Sequence, residues 1–86
     1  MSIVRYMSEE LPKEGALVFC DNGKRPSDRA YFTDGEFTGG GDFPMREYKM
    51  KHVTKWFYMD EYSLYFKERG KNSYLVSFKT AESMVV

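Results

Sequence analysis

Cys20 and His52 are the only cysteine and histidine in the 86-residue chain. They are the one pair that could supply a thiolate and its base. Cys20 closes the apolar run Ala16-Leu17-Val18-Phe19-Cys20. A free cysteine in such a run is a small core hydrophobe, and no oxyanion donor can be placed from the spacing. A single cysteine forbids an internal disulfide, and with one histidine it cannot complete a Cys/His zinc site. Gly39-Gly40-Gly41 could cradle a phosphate, but Asp42-Phe43-Pro44 puts an acid where the anion would sit. Phosphate loops need a helix start and usually a lysine there, so the glycines read as a flexible loop. Asp21, Asp28, Asp34 and Asp42 lack EF-hand spacing and fall where turns are expected. The chain therefore reads as a non-enzyme, with no catalytic residues, no metal and no cofactor.

Binding leaves a clearer trace. Arg46, Lys49, Lys51 and Lys55 interleave with Tyr48, Trp56 and Tyr58. Bases stack on aromatic rings while Lys and Arg hold phosphates, so this is the pattern a single-strand nucleic-acid binder needs. The charge balance argues the other way. Thirteen basic and thirteen acidic residues cancel, which removes the long-range attraction of a nucleic-acid binder. The charges divide unevenly: residues 1–45 hold five basic and eight acidic residues, a net of −3, and residues 46–86 hold eight and five, a net of +3. Exposed Trp, Tyr and Lys together also describe a protein interface. On that reading Trp56, Tyr58, Tyr48 and Lys55 are the contact residues.

The elements that carry these residues are expected to be strands. Seven Phe, seven Tyr and one Trp make 15 aromatics, a composition that favours the pleated surface of a sheet. A chain of 86 residues holds one domain, 1–86. No segment reaches the ~20 apolar residues of a membrane helix, and the start lacks the apolar core of a signal peptide, so a cytoplasmic location without membrane contact is expected.

Residues 3–7 are β-prone, Pro12 and Gly15 frame a turn, and 16–20 is an apolar strand. Ala30-Tyr-Phe-Thr-Asp-Gly-Glu-Phe37 is the clearest hairpin, with Tyr31 and Phe32 on opposite faces. Tyr48 and Met50 alternate with charged neighbours as in a strand, although Pro44 could open a short helix instead. In strand 52–59, Val53 and Phe57 share one face, expected to be core, and Trp56 and Tyr58 the other. Residues 60–70 fit a strand through Tyr62, Leu64 and Phe66, or a helix through Tyr62, Tyr65 and Phe66 with Gly70 as a stop. The strand is preferred because Tyr74, Val76 and Phe78 make 73–79 a natural hairpin partner. Residues 80–86 are expected to fray.

In order, Ser8-Glu9-Glu10-Leu11-Pro12-Lys13-Glu14-Gly15, Val18, Asp34-Gly35-Glu36-Phe37 and Val53-Thr54-Lys55-Trp56 resemble a family of short phage and prophage proteins of unknown function. The resemblance covers residues 4–58. Two features depart from it: Tyr6 stands where the family has Trp, and Phe57-Tyr58-Met59-Asp60-Glu61 replaces a proline-rich tail. Residues 62–79 then read as an added hairpin. The resemblance implies a phage or prophage setting, a β-rich fold and, by that setting, location in the host cytoplasm. It implies no activity.

The expected fold is all-β or β-rich α+β: a small, strongly bent antiparallel sheet or open barrel of five to seven strands, with room for one short helix. The expected function is protein–protein contact with a host protein, as an inhibitor of a host enzyme or defence component; single-stranded nucleic-acid binding through 46–58 is the alternative. Strands 16–20 and 52–59 are apolar on both faces, and a homodimer is one way to cover the second face.

Overall fold

The structure is a computed structural model that describes residues 2–21, 28–39, 48–50, 52–71 and 75–84, with backbone only at 28 and 48–50. Six strands form one antiparallel sheet: β1 (Arg5–Tyr6), β2 (Leu17–Asp21), β3 (Asp28–Thr33), β4 (Glu36–Gly39), β5 (Tyr48–Met50) and β6 (Lys55–Tyr58). Two helices follow, α1 (Met59–Glu68) and α2 (Phe78–Ser83). The strand order is β1-β6-β2-β3-β4-β5, so the sheet is open and not a closed barrel. β6 arrives last but inserts between β1 and β2, which puts the aromatic run Lys55–Tyr58 inside the sheet.

Register follows from turn chemistry and from the apolar alternation. Thr33 pairs with Glu36, leaving Asp34-Gly35 as a two-residue loop. Both have positive φ, 52° and 77°, the handedness that a tight hairpin between twisted strands requires. Glycine adopts that conformation at no steric cost, and aspartate is among the few residues that tolerate it. Phe32 then lies opposite Phe37, with ring centroids 5.0 Å apart, while Tyr31 points to the other face.

Each face of the sheet has its own core. On one, Val18, Cys20, Ala30, Phe32, Phe37 and Trp56 pack together, with Met7, Ala16, Val53 and Tyr58 against them. On the other, Phe19 and Phe57 meet Ile3, Tyr62, Phe78, Ala81 and Met84. The second core exists because Met59–Glu68 and Phe78–Ser83 are helical, and this corrects the expected hairpin over 62–79. α1 carries Asp60 and Glu61 in its first turn and Lys67 in its last, matching the helix dipole. Gly70, at φ 71°, lies just beyond its end. Tyr62 and Phe66, four residues apart, share the inward stripe, and Tyr62 stacks on Phe57 at 5.2 Å. Leu64 decides between the two periods: a strand needs it beside Tyr62 and Phe66, but it is 53% exposed.

The expected strand over 73–79 also gives way. Leu75, Val76 and Ser77 lead into α2, and residues 72–74 lie outside the described residues. The Ser77 hydroxyl caps α2 by accepting from the Thr80 amide at 3.2 Å. Ala81 and Met84 are fully buried, so the segment 80–84 is held on the core by these two residues and is not a frayed tail. Val53 is corrected too. It packs on the Trp56 side rather than with Phe57, because β6 begins only at Lys55 and strand alternation does not extend back to Val53.

Candidate functional site

The residues expected to make contacts divide three ways. Trp56 is 0% exposed, and this overturns its placement on an exposed partner-binding face. Its indole N–H donates to the Glu10 carbonyl at 3.1 Å, and its ring meets Tyr58 edge-on at 4.8 Å. Tyr58 is half-buried, and its hydroxyl accepts from the Lys13 amide at 2.9 Å. Lys55 is on the opposite face, where its ammonium meets Glu82 at 2.7 Å and lies 5.1 Å from the Phe78 ring centroid. The hydrogen bond to Glu82 raises the Lys55 pKa against the smaller opposing effect of burial. For Tyr48 and Lys49 the backbone alone is described, as β5 residues paired with Gly39 and Thr38. Arg46 and Lys51, with Gly40, Gly41 and Asp42, lie outside the described residues.

Three stretches distant in sequence meet around Trp56. Residues 8–14 cross the sheet face that holds it. Besides the ties from Trp56 and Tyr58, the Glu14 carboxylate accepts from the Asp34 amide at 3.0 and 3.2 Å. The Gly15 amide, at φ 78°, donates to the Phe32 carbonyl at 2.7 Å. The turn Ser8–Gly15, the hairpin Asp34–Phe37 and the strand at Trp56 therefore form one structural unit. Arg5 completes it, a residue the sequence does not single out. Its guanidinium pairs with Glu61 of α1, its Nε meets Glu10 at 3.3 Å, and its Cζ lies 5.6 and 5.1 Å from the Trp56 and Tyr58 ring centroids. The hydrogen bond to Glu61 raises the Arg5 pKa. These contacts bind the chain to itself. Both faces of β2 and β6 are covered within one molecule, which removes the spare apolar face behind the expected homodimer.

Among the described residues two tyrosines are exposed, Tyr6 on β1 and Tyr31 on β3, and Tyr31 is the more exposed. The helix core involves β6 and β2, whereas among the described residues none of β3 or β4 belongs to it. On that same face, Leu17 pairs with Tyr31, Tyr31 with Thr38, and Thr33 with Glu36. Tyr31 is 54% exposed, with Arg29, Thr33 and Glu36 exposed around it. Strand alternation gives Tyr31 a face, but only the placement of α1 and α2 shows that the described residues leave it 54% exposed there.

Cys20 is buried in the Trp56 core, while His52 is exposed beyond the end of β6. Among the described residues no three His, Cys, Asp or Glu side chains could hold a metal ion, and no helix is long and apolar enough to cross a membrane. No family model, no curated protein and no solved structure matches the chain.

Proposed function

We propose that this chain is a non-enzymatic binding protein acting through protein–protein contact, and that the open half of its helix-side sheet face makes the contact. One observation carries the reading: Tyr31 stands 54% exposed in mid-strand, on a face whose other half is closed by helices. Tyr and Arg are the residue types enriched among interface anchors, and Arg29 lies two residues from Tyr31 along β3. Side chains on a paired strand are already ordered, so little entropy is lost when a partner docks. The partner that fits offers an apolar seat for the Tyr31 ring and an acidic group opposite Arg29. The resemblance over residues 4–58 supports a host protein in that role, an enzyme or defence component that the chain inhibits.

Affinity capture from a bacterial lysate tests the reading, with the native chain beside Tyr31→Ala and Arg29→Glu, each with and without nuclease. The expected result is one protein held by the native chain at both settings and lost from both variants, whose urea midpoints stay close to native. Capture that vanishes with nuclease would overturn the reading in favour of nucleic acid. Capture indifferent to both substitutions would remove this face from it.

A further inference from the structure

Residues 8–14 have no strand or helix of their own, and Pro12 is the only one of them that is buried. Leu11 is 57% exposed. The segment is held at separate points: the Glu10 carbonyl by Trp56, the Lys13 amide by Tyr58 and the Glu14 carboxylate by Asp34. A segment with one buried side chain and a few spaced polar ties opens at lower free energy than the strands beneath it. Arg5 sits where the ties meet. It joins Glu10 on the segment to Glu61 on α1 while lying against the Trp56 and Tyr58 rings. We propose that residues 8–14 are a latch over the Trp56 face, and that the Arg5 bridge between Glu10 and Glu61 sets how often it opens.

Opening releases the Trp56 indole and the Tyr58 hydroxyl from their partners while the sheet stays paired. The Arg5 and Glu10 side chains are 28% and 55% exposed, so dissolved salt reaches the bridge and weakens it. The device is independent of the Tyr31 surface, which lies on the other face of the sheet. It also carries its own reporter. Cys20 pairs with Trp56 in register and is fully buried in the same core as the indole that Glu10 holds.

The test combines amide hydrogen exchange with thiol labelling of Cys20 on the full chain, at low and high salt. Arg5→Met should speed exchange at the Lys13 amide by about fivefold and Cys20 labelling by a similar factor. Phe19 and Phe57 amides should change only as far as global stability does. Glu10→Gln leaves the Arg5–Glu61 pair intact and should move both readouts the same way, so the test survives if Arg5→Met does not fold. High salt should speed both readouts in the native chain and do less in Arg5→Met. Latch amides that exchange in step with β2 and β6 under every condition would overturn the proposal. Faster latch exchange with unchanged Cys20 labelling would overturn it as well.

Discussion

Trp56 and Phe57 are neighbours in β6, both 0% exposed, on opposite faces of one sheet. Trp56 belongs to the core with Val18, Cys20, Phe32 and Phe37, and Phe57 to the core under the helices. A chain of 86 residues builds two cores by packing α1 and α2 on one face and tying the irregular segment 8–14 to Trp56 and Tyr58 on the other.

The equality of the pair is testable. Trp56→Ala and Phe57→Ala should each cost about 3–5 kcal/mol, because each leaves a large void in a closed core. Trp56→Phe keeps much of the apolar area but leaves the Glu10 carbonyl without its donor, at about 1 kcal/mol. Urea melts of the three variants check this. A Trp56→Ala protein nearly as stable as native would place the indole outside the core.

The hairpin turn offers a cleaner measurement. A Cβ at Gly35 would meet nothing within 4 Å, so Gly35→Ala tests backbone conformation alone. At φ 77° the cost should be about 1–2 kcal/mol. Asp34→Asn keeps a residue that tolerates φ 52° and should stay within about 0.5 kcal/mol of native. Equal thermal shifts for both substitutions would contradict the turn geometry.

α2 depends on its cap. It has six residues, too few to persist without tertiary packing, and the Ser77 hydroxyl satisfies the Thr80 amide. Ser77→Ala should cost about 1 kcal/mol and Ser77→Asp should retain most of it. Exchange at the Thr80 and Ala81 amides should rise in the alanine variant alone. Unchanged protection there would show that packing of Phe78 and Ala81 suffices.

What the sequence reveals follows from where the constraints lie. The β3–β4 hairpin was legible because Asp34-Gly35 is a local signal and Phe32 and Phe37 alternate around it. Residues 59–84 were not, because Tyr62 and Phe66 satisfy both period two and the helical stripe. The deciding fact is tertiary: Phe57 and Phe19 need cover on their own face. The apolar character of β6 on both faces is legible in the sequence, but the groups that cover each face are not. Trp56 looked like a partner anchor, and its partner proved to be the carbonyl of Glu10, 46 residues earlier. No local pattern marks Arg5, whose contacts with Glu10, Glu61, Trp56 and Tyr58 depend on β6 entering the sheet beside β1.

The Lys55–Glu82 pair fixes a pH dependence. It joins β6 to α2 at 2.7 Å, and the hydrogen bond to Glu82 lifts the lysine above its ordinary value of 10.5. The folded value lies above the unfolded one, so the pair's contribution to stability is complete below about pH 10.5 and is lost as pH rises through the folded value. Stability near neutral pH should therefore be insensitive to this pair's titration, with an alkaline loss above that point. Lys55→Met keeps the stem against Phe78 but has no ammonium to lose, so its stability should fall less steeply over the alkaline range. Urea midpoints followed from neutral to strongly alkaline pH in both proteins would show the two curves converging. Parallel curves would mean that Glu82 does not hold the lysine in solution, and that α2 is kept on the sheet by Phe78, Ala81 and Met84 alone.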